Sequence, residues 1–272
     1  VCPQAGVSGA LTVVSLHAET FFLLEPDIPM KTHFGYREVS EDQKASLVQE
    51  VFTNVAYKYD LMNDLMSFGI HRLWKDAVID RLKPGPNTNL VDVGGGTGDL
   101  AFKFLAKGGG HVRVIDINRE MLTHGQNRAL DQGIINGIEW THGDAEELPL
   151  DDMSMDAYTT AFCIRNVTHI NRALAEARRV LKPGGQFLCL EFSQLKFSTL
   201  RKLYDTYSFN ILPLLGEKIV NDRDAYQYLA ESIRKFPNQL EFSSMIADAG
   251  LGRVSCQNLN GGIAAIHSAW RI

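Results

Sequence analysis

The sequence is poor in the features that mark several classes of protein. Its four cysteines, Cys2, Cys163, Cys189 and Cys256, lie far apart and form no CxxC pair. That argues against a zinc knuckle or a disulfide framework and fits a reducing compartment. No run of eighteen apolar residues exists, and the longest apolar patches, residues 10–16 and 21–24, are short and separated. No membrane-spanning helix is expected. Positive charge is in deficit: 27 Lys and Arg against 32 Asp and Glu leave a formal net charge of -5. A duplex nucleic-acid binder would show a basic footprint instead. Residues 1–30 hold no Lys or Arg but carry Glu19, Glu25 and Asp27. A mitochondrial transit peptide is Arg-rich and poor in acids, so residues 1–31 read as a poorly ordered leader. No repeat, low-complexity tract or metal-ligand spacing is visible, and activity is expected to survive a chelator.

What is present is ordinary in bulk and specific in detail. The 272 residues are 45% hydrophobic and 22% charged, which suits a globular α/β domain over residues 32–272 with a helical cover. Residues 40–83 read as a helical lid. Ser40 with Gln43 has the capping-box pattern, and Leu47, Val48, Val51, Phe52 and Val55 recur at helical spacing. Leu73, Trp74, Ala77, Val78 and Leu82 give a second stripe, ended by Pro84-Gly85-Pro86. Strands are then expected at 90–93, 111–117, 137–142, 157–164 and 186–192, with helices at 99–106, 119–131 and 171–181 between them. This alternation implies right-handed crossovers and a parallel sheet. Residues 195–236 break the rhythm as an aromatic-rich helical insert. A helix at 239–249 and two strands, 252–259 and 263–270, close the chain, joined by Asn260-Gly261-Gly262 as a hairpin turn.

The first strand runs into Gly94-Gly95-Gly96-Thr97-Gly98-Asp99. Glycines there let the backbone turn sharply and approach a ligand, although a tight strand–helix turn would use them too. A dinucleotide fold wants its third glycine one position later, where Asp99 would repel a pyrophosphate. S-adenosylmethionine (SAM) has no phosphate, and its amino group welcomes carboxylates. No Lys-Ser or Lys-Thr pair follows, which excludes a P-loop. Asp116, at the end of the second strand, is placed to bind both ribose hydroxyls, or else caps the next helix. Asp144, in Gly143-Asp144-Ala145 after the third strand, is placed to accept from an adenine amino group. All three segments fall at carboxyl ends of expected strands, where open α/β sheets bind ligands.

Two stretches carry a resemblance. Tyr59-Asp60-Leu61-Met62-Asn63-Asp64-Leu65-Met66-Ser67 with His71 and Trp74, and Arg179-Val180-Leu181-Lys182-Pro183-Gly184-Gly185 followed by Glu191-Phe192-Ser193, resemble the two signatures of the ubiquinone/menaquinone biosynthesis C-methyltransferase family. Thr32-His33-Phe34-Gly35-Tyr36 is similar to its eukaryotic, mitochondrial branch. The resemblance runs from about Thr32 to the C-terminus. It implies a class I SAM-dependent methyltransferase fold, Rossmann-like, with a seven-stranded, mostly parallel sheet and a final antiparallel hairpin. It implies SAM contacts at Gly94, Gly96, Thr97, Gly98, Asp116, Asp144 and Ala145, and C-methylation of a prenylated methoxy-benzoquinol in ubiquinone biosynthesis. It further implies a coenzyme Q biosynthetic complex on the matrix face of the inner mitochondrial membrane as a peripheral partner, with room for a homodimer. Gly94 departs from the pattern, since many relatives have Ala there; the change is expected to leave the turn intact.

Methylation of a ring carbon needs a phenolate to push electron density onto it, so the acceptor must be a quinol that loses a proton. A free phenol has a pKa near ~10. Arg165, in Phe162-Cys163-Ile164-Arg165-Asn166-Val167 after the fourth strand, is the candidate to stabilise that anion, because Arg keeps its own proton. A charge pair at 4 Å is worth roughly 4 kcal/mol at an effective dielectric of 20, about 3 pKa units. Asn166 and Tyr59 are candidate orienting groups, with water as the proton acceptor. The competing reading of Arg165 is a salt bridge holding the lid. His71 and His169 are rival bases by pKa. Met62, Met66, Phe68 and Trp74 are read first as helix core. The insert's Tyr204, Tyr207, Phe209, Tyr226 and Tyr228 are read the same way, or as the wall of an apolar groove for a prenyl tail. The sequon Asn166-Val167-Thr168 is read as chance. Alternatives left open are a menaquinone-type or small-phenol methyltransferase, a silent quinone-binding scaffold, and an NAD-dependent dehydrogenase.

Overall fold

The computed structural model describes residues 31–55, 61, 63–64, 67, 69–195, 206–214, 217 and 223–272. Residues 1–30, Tyr59, Met62, Met66, Phe68, Tyr204 and much of the insert lie outside the described residues. Two short strands, β1 (Lys31–Phe34) and β2 (Arg37–Ser40), form an antiparallel hairpin. The helices α1 (Glu41–Val55) and α2 (His71–Leu82) follow. The alternating body is β3 (Asn89–Val93), α3 (Asp99–Ala106), β4 (His111–Asp116), α4 (Arg119–Asp131), β5 (Ile138–His142), β6 (Met155–Ala161), α5 (Ile170–Val180) and β7 (Leu181–Phe192). The helix α6 (Arg223–Lys235) ends the insert, and α7 (Gln239–Asp248), β8 (Gly252–Leu259) and β9 (Ala264–Trp270) complete the chain.

Seven strands form one sheet in the order β5-β4-β3-β6-β7-β9-β8. All its pairs are parallel except those of β9 with β7 and β8. β3 shows why: from Leu90 to Val93 every residue is buried, as a central strand covered on both faces requires. One core lies between the sheet and α2, α3 and α6, around Trp74, Ile79, Phe104, Phe192 and Tyr226. The other lies between the sheet and α5 and α7, around Leu174, Ala177, Phe187 and Phe242. Local signals set the boundaries: the Asn118 side chain caps α4 by accepting the Met121 N–H at 3.0 Å, and Asn238 with Glu241 forms a full capping box on α7. No helix among the described residues is long and apolar enough to cross a membrane.

Two differences from the sequence reading bear on the site. The β1–β2 hairpin was not expected. It is held from α6, where Phe34 stacks on Tyr228 with centroids 4.0 Å apart and the Tyr36 N–H donates to Glu231 at 2.9 Å. The fourth strand of the alternating body, β6, stops at Ala161 rather than 164. Phe162 there adopts φ 57°, which breaks the strand, and Ile164–Asn166 forms a 3₁₀ turn. Chain leaves β3 toward β4 on one side and β6 on the other, so a crevice opens at the carboxyl end of β3.

Candidate active site

The crevice holds a pocket whose floor is the glycine turn and the ends of β4 and β5. Gly94 and Gly96 have φ of 63° and 53°, a region costly to residues with a Cβ. At Gly94 a Cβ would also overlap Cys163 Sγ. The turn forms with Gly94 in place of the relatives' Ala, and an Ala here would meet the Cys163 side chain. Asp116 hangs from the turn: its Oδ2 accepts the Gly96 N–H at 2.9 Å and its Oδ1 the Asn118 N–H at 2.8 Å. Burial pushes its carboxyl up to about 6 against those hydrogen bonds. Asp144 lies at the pocket rim, with Oδ1 accepting the Glu146 N–H at 2.8 Å, and Ala145 is buried beside it.

Thr97, Gly98 and Asp99 do not line this pocket. Thr97 Oγ1 accepts from Arg128 Nη1 at 2.7 Å, and a Cβ at Gly98 would lie 2.6 Å from the Trp140 ring. Asp99 takes Lys75 Nζ at 2.6 Å and Arg128 Nη2 at 2.8 Å. Burial works against its charge, but the Lys75 ammonium and Arg128 guanidinium hold it well below the usual carboxylate range. It ties α2 to the turn and is not among the residues that line the pocket.

The roof is α1, through Ala45, Val48, Gln49 and Phe52. Asn118 Nδ2 reaches up to Gln49 O at 3.2 Å and Thr53 Oγ1 at 2.9 Å. Lys44 Nζ donates to Val167 O at 2.8 Å, and burial lowers its pKa. His169 is clamped between Glu146, at 2.7 Å from Nδ1, and Glu41, at 2.9 Å from Nε2.

The remaining wall is Phe162, Cys163, Asn166, Val167 and Thr168. Tyr228 Oη donates to Asn166 Oδ1 at 3.0 Å, and Asn166 Nδ2 donates to Phe162 O at 3.4 Å. Arg165 is adjacent but turns the other way, into a second cavity lined by Lys44, Val167, Thr168 and Tyr228. Its Nη1 donates to Glu191 Oε1 at 2.8 Å and to Phe162 O at 2.6 Å, and its guanidinium lies 5.7 Å from the Phe192 ring centroid. The salt bridge is thus to β7, not to the lid. Tyr59 lies outside the described residues.

Neither rival histidine lines the pocket. His71 is fully buried, its Nε2 meets Asp64 at 2.9 Å, and burial lowers its pKa, so it serves the start of α2. Trp74 is core, with Nε1 donating to Asn260 Oδ1 at 2.7 Å. The sequence reading did not single out Glu191 as a site residue. An acid inside the apolar run Phe187-Leu188-Cys189-Leu190-Glu191-Phe192 was the available signal, because a buried charge demands a partner.

The acceptors fit a nucleoside whose hydroxyl and amino groups donate. A carboxylate at the second strand end and a second at the rim face a turn where Cβ atoms would intrude. Among the described residues no group of three or more His, Cys, Asp or Glu is arranged to hold a metal ion.

Comparison with known proteins agrees. The profile of the ubiE/COQ5 methyltransferase family matches residues 37–271. The mitochondrial 2-methoxy-6-polyprenyl-1,4-benzoquinol methylase of Mus musculus is 52% identical, over 89% of this chain and 85% of that one. The ubiquinone/menaquinone biosynthesis C-methyltransferase of Paracoccus denitrificans is 54% identical, over 92% of this chain and 100% of that one. A Thermotoga maritima SAM-dependent methyltransferase superimposes with TM-score 0.59 at 20% identity, over 83% of this chain and 100% of that one, which establishes the fold alone.

Proposed function

The chain belongs to the ubiE/COQ5 methyltransferase family, and on that basis we propose that it methylates a ring carbon of a prenylated methoxy-benzoquinol, with SAM as donor, in ubiquinone biosynthesis. The observation that carries the reading beyond membership is a single roofed pocket with Asp116 hung from the glycine turn on one side and Asn166 on the other. When bound, SAM supplies an electrophilic methyl group on a sulfonium centre. The chain's part is to hold and orient both molecules and to stabilise the acceptor's anion. Asp116 accepts the ribose hydroxyls, while Asp144 and the Ala145 backbone take the adenine edge. Gly94, Gly96, Thr97 and Gly98 supply the turn that lets the cofactor lie against backbone, with Thr97 fixed by Arg128.

Asn166, anchored by Tyr228, orients the acceptor's oxygen. Arg165, one residue from Asn166 and facing the second cavity, stabilises the acceptor's anion by its charge rather than by lining the SAM pocket, and a water takes the phenol proton; Tyr59 adds a hydrogen bond from the lid. The tail leaves along the aromatic side of the cavity between the β1–β2 hairpin, α1 and α6, past Phe34, Tyr36, Leu47 and Tyr228. Relatives named as mitochondrial support a mitochondrial setting, and we place the protein on the matrix face of the inner membrane, within a coenzyme Q biosynthetic complex.

The direct test is methyl transfer from labelled SAM to a short-chain 2-methoxy-6-prenyl-benzoquinol, with the oxidised quinone and a naphthoquinol as controls. Transfer to the benzoquinol alone is expected. Transfer to the quinone, or to the naphthoquinol in preference, overturns the acceptor assignment. Arg165→Ala is expected to lower kcat at least a hundredfold while SAM affinity by calorimetry stays within about threefold, as for loss of a group acting on the transition state. A parallel loss of both indicates a structural role instead.

A further inference from the structure

Glu191 is a buried ionisable group that the scheme above leaves unused. It lies near the end of β7 and is 1% exposed. Its Oε1 accepts from Arg165 Nη1 at 2.8 Å and from the Phe192 N–H at 2.8 Å. Glu191 Oε2 and Arg165 Nε are both buried without a hydrogen-bond partner among the described residues. As a stability device this is a poor arrangement. A buried ion pair repays its desolvation only with excellent geometry and full hydrogen bonding, and well-packed apolar residues often serve as well or better. A pair that leaves an atom spare on each partner, one residue from Asn166 in the pocket wall, is better explained by what it does to the site.

Resting on the assignment of Arg165 to the quinol's anion, we propose that Glu191 is the positioning residue that fixes the Arg165 guanidinium and sets how strongly it draws the acceptor's phenol toward its anion. The first part is steric. Nη1 is held by two acceptors, Glu191 Oε1 and Phe162 O, while the Phe192 ring lies close to the guanidinium. The second part is electrostatic. A carboxylate 2.8 Å from Nη1 offsets most of the guanidinium's charge at a distance. The phenolate therefore meets an attenuated cation, strong enough to assist ionisation and weak enough to release the neutral product.

Other ionisable groups surround the pair. Cys163 after β6, Cys189 on β7 and Tyr228 on α6 all have pKa values raised by burial. His267 on β9, the pairing partner of Cys189, is lowered by burial. His33, Lys44 and Lys235 line the cavity that Arg165 faces and are unchanged in every variant below.

The test is the pH dependence of kcat for the short-chain benzoquinol in the full chain, which reports ionisations in the enzyme–substrate complex, for wild type, Glu191→Gln and Glu191→Asp, with SAM affinity by calorimetry alongside. Glu191→Gln keeps an acceptor for Nη1 but removes the negative charge that opposes the phenolate. The acid limb is expected to move to lower pH by roughly one unit, with SAM affinity unchanged. Glu191→Asp keeps the charge but withdraws the carboxylate, so the limb is expected to stay in place while kcat falls tenfold or more. Superimposable profiles for wild type and Glu191→Gln overturn the proposal, as does a loss of SAM affinity that tracks the loss of rate. If Glu191→Gln does not fold, Glu191→Asp decides: wild-type kcat in that variant overturns the proposal. Full turnover in Arg165→Ala would instead remove the assignment of Arg165, a failure distinguishable from that of Glu191.

Discussion

The proposed contact with ribose needs Asp116 as an anion in a place that disfavours anions. Burial raises its carboxyl to about 6, and the Gly96 and Asn118 N–H groups keep it from rising further. A ribose that donates both hydroxyls selects the ionised form, so SAM affinity is expected to be flat above about pH 7 and to weaken roughly tenfold per unit below about pH 6. Calorimetry from pH 5 to 8 checks this, and a flat curve would detach Asp116 from the ribose. The same shift acts on folding with a definite sign. A carboxyl whose folded pKa exceeds its unfolded value of 3.8 favours the fold only at low pH, and that advantage is lost as pH rises through 6. Asp116→Asn is therefore expected to stabilise the protein at pH 8 by roughly 3 kcal/mol at most, and not at pH 4, while abolishing tight SAM binding. The neighbouring pair Gly94 and Cys163 is a matter of space. Gly94→Ala is expected to weaken SAM binding more than tenfold, and adding Cys163→Gly to restore most of it, because the intruding Cβ meets the Cys163 side chain. A double variant no better than Gly94→Ala would show that the positive φ, not the thiol, forbids the side chain.

At the scale of elements, α1 is a roof fastened at two places. Asn118 holds its middle, while Lys44 and the Glu41–His169–Glu146 clamp hold its start. A roof that gates the pocket opens more readily when a fastening is weakened. Glu41→Gln, which weakens one arm of the clamp without touching the pocket lining, is expected to raise the SAM dissociation rate severalfold in stopped flow. Amide exchange across 41–55 is expected to slow when SAM binds; an unchanged dissociation rate would mean that the roof is not the gate. The elements themselves were unevenly legible. α3 and α4 follow from periodicity and glycine punctuation, because each buries a face against the sheet. The β1–β2 hairpin did not show in the pattern, since its four-residue strands gain their stability from Phe34 stacking on Tyr228, nearly two hundred positions away. The early end of β6 was invisible for a different reason: nothing in a Phe announces φ 57°, which is held from three and four residues on, where the Arg165 and Asn166 side chains donate to the Phe162 carbonyl.

For the whole molecule, the strand-end side of the pocket, where Gly94, Asp116, Asp144 and Ala145 meet, was readable because it is built from backbone turns, which sequence spacing fixes. The acceptor half was not, because it is assembled from β6, β7, α1 and α6, and the side chains that hold it, Glu191 and Tyr228, act from separate elements. The same division predicts how the protein responds to ligands. The pocket joins the strand ends to α1, so SAM binding couples elements that otherwise share only a few hydrogen bonds. A ligand at a hundred times its Kd stabilises the folded state by about 2.7 kcal/mol, and for a domain of this size each kcal/mol moves Tm by roughly 2–4 °C. SAM or S-adenosylhomocysteine at that excess is expected to raise Tm by about 5–10 °C, with NAD giving no shift at the same concentration. Equal shifts from NAD would return the glycine turn to the dinucleotide binders. A SAM shift present in wild type, retained in Arg165→Ala and lost in Asp116→Asn would separate the two halves of the site by measurement, since only the second substitution removes a group that the cofactor is proposed to touch.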